Sequence, residues 1–371
     1  MMPLFDARGS LRGLALFRLT LGPLVVYSLW PYLREVVAGT WYGARYHAPW
    51  FASLPTPSAP AWHALIVAGA LAAPLITLGL FARTACVVAA LSVGGNVLLS
   101  ETHYHHNRAV LVVALLLTAL AGPGRELSLD AVIARRRGVD LAPEQALLWP
   151  LWLLRFEFAS TYVASATSKL LDADWRSGTV LWDRVLQARP RLDESPLPSA
   201  VVELLSSPTL HAVLAPSAIA LEMFVGLGLW SRRTRLAAVA GATMFHALVE
   251  VTARVQVFSY LCLAALAIWA VPRVRDRVLR VRTESTPGAR LLGRVRHLDW
   301  LARFRVEEFS APAHEAGGSR DDVTLCDRDG RVFTGDEAVR RTRLRLPLTF
   351  GPALIATLVA TVRHRRFPGR G

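Results

Sequence analysis

The chain is nearly devoid of lysine. Of its 42 basic side chains a single one, Lys169, is an amine, and every other positive charge is carried by arginine. A guanidinium keeps its proton in any protein environment, whereas an amine in a desolvated site can lose one. Lys169 is thus the only Lys/Arg side chain with the chemistry of a base, although a snorkelling interfacial cation is an equally available reading. Cysteine is scarce too. Cys86, Cys262 and Cys326 are scattered and odd in number, with no Cys-x-x-Cys or zinc-type spacing, which excludes a disulfide scaffold and a structural zinc site. A small-residue cleavage pattern is also missing after the first apolar run. Arg8 and Arg12 precede about 20 apolar residues, so a retained first helix is expected.

What the chain has in abundance is apolar mass: 53% of its 371 residues are hydrophobic. Runs of roughly 17 to 25 apolar residues are long enough to cross a bilayer. The fold class is therefore an all-α polytopic membrane protein of about eight transmembrane helices, followed by a small α/β cytoplasmic tail. The expected spans are about 12–32, 60–81, 84–100, 107–121, 146–169, 209–230, 235–253 and 256–272. A net charge of +14 suggests nucleic acid in a soluble protein, but here arginines cluster between apolar spans. They read as topology signals and contacts to anionic membrane lipid, and no nucleic-acid partner is expected. Arg8/Arg12, Arg83, Arg135 to Arg137, Arg232/Arg233/Arg235 and the run Arg273 to Arg282 fall on one side of the membrane. By the charge rule that side is cytoplasmic and holds both termini, which places the chain in a cell membrane, in bacteria the inner one.

This sorting has a consequence for the titratable groups. His47, His63, His103, His105, His106, His211 and His246 fall in outer loops or in outer or middle parts of helices, with Lys169, Asp172 and Asp174. Ionisable groups gathered near one membrane face read as a functional site. The connection of about 170–208 is long and partly apolar, the character of a lid or re-entrant element. Residues 273–288 read as a basic linker and 289–371 as the tail, with a hairpin around Asp329-Gly330 and a short helix beginning at Asp336. The last apolar piece, Leu346 to Val362, suits either the cytoplasmic leaflet or a ninth span.

Three constellations carry chemistry. Lys169 sits at the apolar edge of its span, where desolvation favours the neutral amine, and it serves as a base only if Asp172 and Asp174 point elsewhere, for example toward the Trp175 segment. His103, His105 and His106 form a His-x-His-His run. One such run without a second histidine box is weak for metal, and hydrogen bonding to a substrate carbonyl or phenolate is the alternative use. His246 and Tyr260, on consecutive spans joined by a short turn, either face a common cavity or pack as ordinary buried groups.

Tyr162 with Lys169 seven residues on, then Asp172-Ala-Asp-Trp175 and Gly178, resembles the signature of the vitamin K-dependent gamma-carboxylase family and its bacterial relatives, the HTTM (horizontally transferred transmembrane) domain. His106-Asn-Arg before a Leu/Val-rich helix ending in Leu127-Ser-Leu-Asp130, Phe245-His246 with Phe258-Ser-Tyr260, and Arg18 agree with it over roughly residues 11–272. The resemblance implies a membrane enzyme using a reduced quinone of the vitamin K or menaquinol kind, oxygen and carbon dioxide, with no metal. It implies Lys169 as the base and His106 and His246 as further catalytic groups, His105 being a rival to His106. His105, Tyr260, Asp172 and Trp175 are the expected substrate-binding residues, and any protein substrate is unknown. One additional leucine between Lys169 and Asp172 shifts their helical phase by about 100°. The peptide-recruiting domain of animal carboxylases has no counterpart in this sequence. The tail resembles the C-terminal part of the DCC family of thioredoxin-like proteins, through Leu298-Asp-Trp-Leu-Ala-Arg-Phe-Arg305 and Asp327-Arg-Asp-Gly-Arg-Val-Phe-Thr-Gly335. Thr283 to Arg294, where that family's cysteine motif belongs, holds no cysteine, which implies a redox-dead remnant. Two other classes stand beside the enzyme reading: a non-catalytic scaffold or transport partner, and a membrane di-iron oxygenase.

Overall fold

The computed structural model describes residues 6–41, 48–51, 55–139, 141, 145–252, 255, 257–271, 277–299, 301, 303–310 and 322–346. It divides into two units, Met1–Ala270 and Val271–Gly371.

The first unit is helical. Its elements are α1 (Arg12–Val37), α2 (Ala59–Leu78), α3 (Ala82–Leu99), α4 (His106–Leu120), α5 (Leu129–Arg136), α6 (Trp149–Leu171), α7 (Ala173–Ser177), α8 (Thr179–Asp193), α9 (Ser199–Leu205), α10 (Pro208–Gly228), α11 (Arg235–Thr252), α12 (Val257–Ala265) and α13 (Ala267–Ala270). A two-residue pairing of β1 (Arg8–Gly9) with β2 (Ala146–Leu147) ties the start of the chain to the entrance of α6. Each of the eight expected stretches contains a helix, but among the described residues only α1, α2, α3 and α10 are both long and apolar enough to cross a membrane. The rest fall short for physical reasons. Helix α4 has 15 residues, α6 carries Arg155, Glu157 and Lys169, α11 carries Arg235, His246 and Glu250, and the α12 helix breaks after Ala265.

Helix α1 is the hub, packed against α2, α3, α4, α12 and α13. Leu14, Phe17, Arg18, Leu21, Val25 and Leu29 recur at three- and four-residue intervals and are buried. Phe17 meets Phe158 of α6 edge to face at 5.7 Å, which links the hub to the helix bearing Lys169. Arg18, fully buried, spends its charge on backbone. It donates to the carbonyls of Ile76, Thr77 (2.7 Å) and Leu127 (2.6 Å). Two of these are among the last four carbonyls of α2, which lack a helical amide four residues on and carry the negative end of its dipole. Asp130 does the reverse for α3, accepting from the amides of Phe81 (2.9 Å) and Ala82 (3.0 Å). Between the two sits Gly79 at φ +68°, where a Cβ would lie 2.4 Å from the Ser128 Cβ and 2.8 Å from Arg18 Nη1.

The second unit is a four-stranded sheet in the order β4-β3-β5-β6, formed by β3 (Arg277–Arg282), β4 (Phe304–Phe309), β5 (Val323–Cys326) and β6 (Val332–Thr334). Helix α14 (Thr286–Leu298) crosses from β3 to its parallel neighbour β4, β5 and β6 make an antiparallel hairpin, and α15 (Gly335–Arg343) follows. The hairpin closes through Gly330 at φ +78°, with the Asp327 amide donating to the Arg331 carbonyl at 2.9 Å. Leu279, Val281, Leu291, Val295, Phe304, Val323 and Leu325 fill its core. Residues 273–288, expected to be a basic linker, therefore hold the central strand and the first turn of α14. Arg277, Arg280 and Arg282 hid the buried pair Leu279 and Val281, whose spacing is that of a strand. Most of the apolar piece from Leu346 lies outside the described residues; Leu346 itself is buried in this core.

Gly79→Ala is expected to destabilise the first unit by more than the ~1 kcal/mol that a left-handed backbone alone costs a non-glycine residue. Gly138→Ala, also at positive φ but with open space around it, should lose only that backbone share. Unfolding midpoints in detergent measure the difference; equal losses would remove the Arg18 corner from the account.

Candidate active site

Residues 162, 165, 166 and 169 lie on one face of α6, because intervals of three, four and seven return the same side of a helix. That face meets α10. Gly226 makes the approach possible, since a Cβ there would stand 2.7 Å from Val163 Cγ2 and 2.9 Å from the Ala159 carbonyl. One turn before it, Glu222 comes against Lys169. The Lys169 Nζ donates to both carboxylate oxygens, at 2.7 Å and 2.6 Å, and Ser165 Oγ donates to Glu222 Oε1 at 3.2 Å. The pair is largely enclosed, with side-chain exposures of 16% and 5%. The ammonium also lies 4.6 Å from the ring centre of Trp175 and 5.6 Å from that of Phe245, both within cation–π range.

Beside the pair is a second polar couple. The Tyr162 hydroxyl and His246 Nε2 share a hydrogen bond of 2.6 Å, both side chains being buried. Phe245 and Phe258 pack around the imidazole with ring centres 5.3 Å and 6.0 Å away. His246 Nδ1 is buried and has no hydrogen-bond partner among the described residues. Lys169, Glu222, Tyr162, His246, Trp175 and the two phenylalanines thus form a cluster built by α6, α7, α10, α11 and α12.

Asp172 and Trp175 take the places left open for them by the sequence. Asp172 ends α6 in an extended conformation and caps α7, accepting from the amides of Asp174 (2.8 Å) and Trp175 (3.2 Å). The helix does not run through, so the phase shift expected from the additional leucine has no effect; the break returns Trp175 beneath Lys169. The expected counter-charge problem nevertheless exists, supplied by Glu222 and not by the aspartates. An uncharged amine standing free in an apolar cavity is replaced by an ion pair. The connection 170–208 is three short helices with a small core of Val185, Leu192 and Val202, and α7 and α8 pack on α10.

The other histidines go elsewhere. His105 and His106 are exposed and stack on each other at 4.5 Å. His105 Nδ1 accepts from the Asn107 amide as the cap of α4, and desolvation with the neighbouring His106 and Arg108 holds its imidazole below the usual range. Among the described residues neither ring bonds to the Lys169 cluster. Asn107 donates to the Val255 carbonyl at 2.9 Å, which joins the start of α4 to the turn between α11 and α12. His103 turns inward to the Asn96 carbonyl (3.1 Å), His211 to the Leu205 carbonyl (2.7 Å) and His63 to the Thr40 carbonyl (2.9 Å). His47 lies outside the described residues. Among the described residues no three His, Cys, Asp or Glu side chains converge to hold a metal. Tyr260 bonds Glu250 at 3.2 Å and meets Tyr27 edge to face at 6.0 Å, whereas Phe258, two residues earlier on α12, packs against His246. Glu222 is the residue that sequence reasoning missed. Its signal was available, as the only acidic side chain in an otherwise apolar 21-residue helix.

A family model described as HTTM domain matches residues 10–273. No curated protein and no solved structure gives a significant match.

Glu222→Gln should cost about 3 kcal/mol of stability, since it leaves a largely buried ammonium without its counter-charge. The double substitution Lys169→Met with Glu222→Leu should recover most of that loss. Detergent unfolding of the parent and these two variants reads the difference; a double variant no better than Glu222→Gln alone would mean the pair is not linked.

Proposed function

Because the chain belongs to the HTTM domain family, and so to the gamma-carboxylase-like membrane proteins, we propose that it is a carboxylase-like enzyme acting on a lipid-soluble quinol, with Lys169 as base. The observation that carries this is the enclosed Lys169–Glu222 pair set against the Tyr162–His246 couple within one shell of aromatic rings. The residues fit a reduced quinone. Trp175, Phe245 and Phe258 offer apolar faces, and the unpartnered Nδ1 of buried His246 offers a polar contact for a ring oxygen. When bound, such a quinol supplies an acidic hydroxyl and the electrons for reaction with oxygen.

The chain's own groups do the rest. A carboxylate 2.6 Å from the ammonium gives its proton an internal acceptor. Moving that proton from Nζ to Glu222 leaves an amine and a carboxylic acid, both uncharged, which removes the cost of holding two ions away from water. The free amine is then the base, Glu222 holds the proton and Ser165 steadies the carboxyl group. Tyr162 fixes the imidazole through Nε2, so that Nδ1 is the nitrogen presented to a ligand. Trp175 and the helices of 173–205 shield the amine from water, as carbanion chemistry requires. In this reading the termini are cytoplasmic, the site faces the outer side, and the tail is a thioredoxin-like module of DCC type without its dithiol, a role supported by its βαβ crossover and cysteine-less first loop. The exposed placement of His105 and His106 favours one competing reading, a non-catalytic membrane scaffold.

Purified protein should carry a quinone in its lipid extract and show quinol-dependent oxygen uptake that Lys169→Ala and Lys169→Arg both abolish. Arginine keeps the charge and cannot become a base. Uptake retained in both variants would end the base assignment. Unchanged cellular function after joint replacement of Lys169, His106 and His246 would favour the scaffold.

A further inference from the structure

The connection between α6 and α10 has a small core of its own around Val185, Leu192 and Val202, yet α9 carries apolar residues outside it. Leu197, Val201 and Leu204 are exposed, Leu204 at 58%. Val201 and Leu204 stand three apart on α9 and so share a side, distinct from the one on which Val202 enters the core. Leu197 lies two residues before the helix.

Helix α9 is not free to turn that side inward. The Leu205 carbonyl accepts from His211 Nε2 of α10 at 2.7 Å, and the Ser206 carbonyl accepts from Trp182 Nε1 of α8 at 2.9 Å. Arg189 of α8 donates to Glu203 (2.6 Å) and to the Ser206 hydroxyl (2.8 Å). The start of α8 is seated on α10 by Gly178, where a Cβ would stand 2.4 Å from the His211 carbonyl. With the segment fastened in this way, whatever covers Val201 and Leu204 comes from outside these helices.

The position of α9 names that cover. Helix α10 begins at Pro208, three residues after α9 ends. Its 21 residues, at about 1.5 Å each, cover roughly 30 Å, the thickness of a bilayer's hydrocarbon core. A helix that fills the core along its length puts the segment just before it at the boundary between acyl chains and headgroups. Val213, within the first two turns of α10, is exposed, so the lipid-facing surface of the span continues up to α9. At the other end of the connection Leu171 is 76% exposed beside the exposed Leu170. Charge decides how such a segment is held. Asp172, Asp174, Asp183, Asp193, Glu194 and Glu203 outnumber Arg176, Arg184, Arg189 and Arg191, so 170–208 is net negative in a chain of net charge +14. Anionic lipid does not attract it, and apolar insertion remains.

We propose that α9 is an interfacial anchor whose partner is the acyl region of the leaflet at the start of α10. Its side bearing Val201 and Leu204, together with Leu197, lies about 5 to 10 Å into the boundary between headgroups and acyl chains. The segment that carries Trp175 over Lys169 is thereby held against the membrane, neither re-entrant nor a lid standing in water.

The test uses the full chain with Cys326→Ser, leaving the buried Cys86 and Cys262 in place. Val201→Cys, Leu204→Cys and, as the reference for a position in water, the exposed Glu194→Cys are made singly and each is given a nitroxide label. The proteins are placed in phosphatidylcholine vesicles and in vesicles of equal parts phosphatidylcholine and phosphatidylglycerol. Collision of the label with oxygen, which concentrates among acyl chains, is compared with collision with a water-soluble nickel chelate. Relative to the reference, oxygen is expected to exceed the chelate at Val201→Cys and Leu204→Cys, equally in both vesicles. An excess of the chelate at both positions puts α9 in water and overturns the proposal. Weak collision with both reagents there means a protein cover, whether a second copy or another chain, and overturns it equally. An oxygen excess that appears only with phosphatidylglycerol overturns the apolar mode of anchoring.

Discussion

The ion pair between Lys169 and Glu222 constrains everything around it. In an apolar setting each charge by itself would cost several kcal/mol, so neither helix can slide or rotate without exposing one of them. The pair therefore fixes the register of α6 against α10. Once it is fixed, helical periodicity decides the rest: Ser165 one turn back reaches the same carboxylate, and Tyr162 two turns back meets His246 across the interface. Gly226 allows the backbones close enough for these side chains to touch.

The other buried polar groups of the helical unit follow a different rule. Arg18 binds the last carbonyls of α2, Arg155 binds the Ile268 carbonyl, Asn107 binds that of Val255, and Trp62 bonds Asn96 at 2.9 Å. These partners are backbone or neutral amide groups, so the contacts join helices without a counter-charge. At Lys169 the partner is itself an acid, and that single difference separates the Lys169 cluster from the buried arginines.

Much of this was legible beforehand because it depends on local chemistry. Rarity alone singled out Lys169, and the Asp172 cap with Trp175 two residues further into the short helix followed from known turn chemistry. The interval of seven from Tyr162 placed that residue on the face of Lys169. The hairpin at Gly330 followed from Asp-Gly between alternating residues. Other readings failed where the deciding contact was distant. Seven histidines on one side looked like a site, yet His63, His103 and His211 each serve a carbonyl far away in sequence or across a loop, and nothing in their spacing reveals it. The run 273–288 concealed a central strand because Arg277, Arg280 and Arg282 interrupt its apolar residues.

The sequence by itself determined that this is a multi-pass helical membrane protein with an α/β tail, since apolar run length and arginine distribution depend on composition and not on packing. It also determined which of the 42 basic side chains is an amine. Only the tertiary structure decided what that amine faces. Glu222 lies 53 positions from Lys169, and their meeting depends on how two helices cross, a relation set by glycine contacts and side-chain shape along the whole interface. Which of Phe258 and Tyr260 packs against His246 was likewise decided by how α12 sits against α11. The meeting of Arg277 with Asp327 depends on strand register, which pairs residues far apart in the chain.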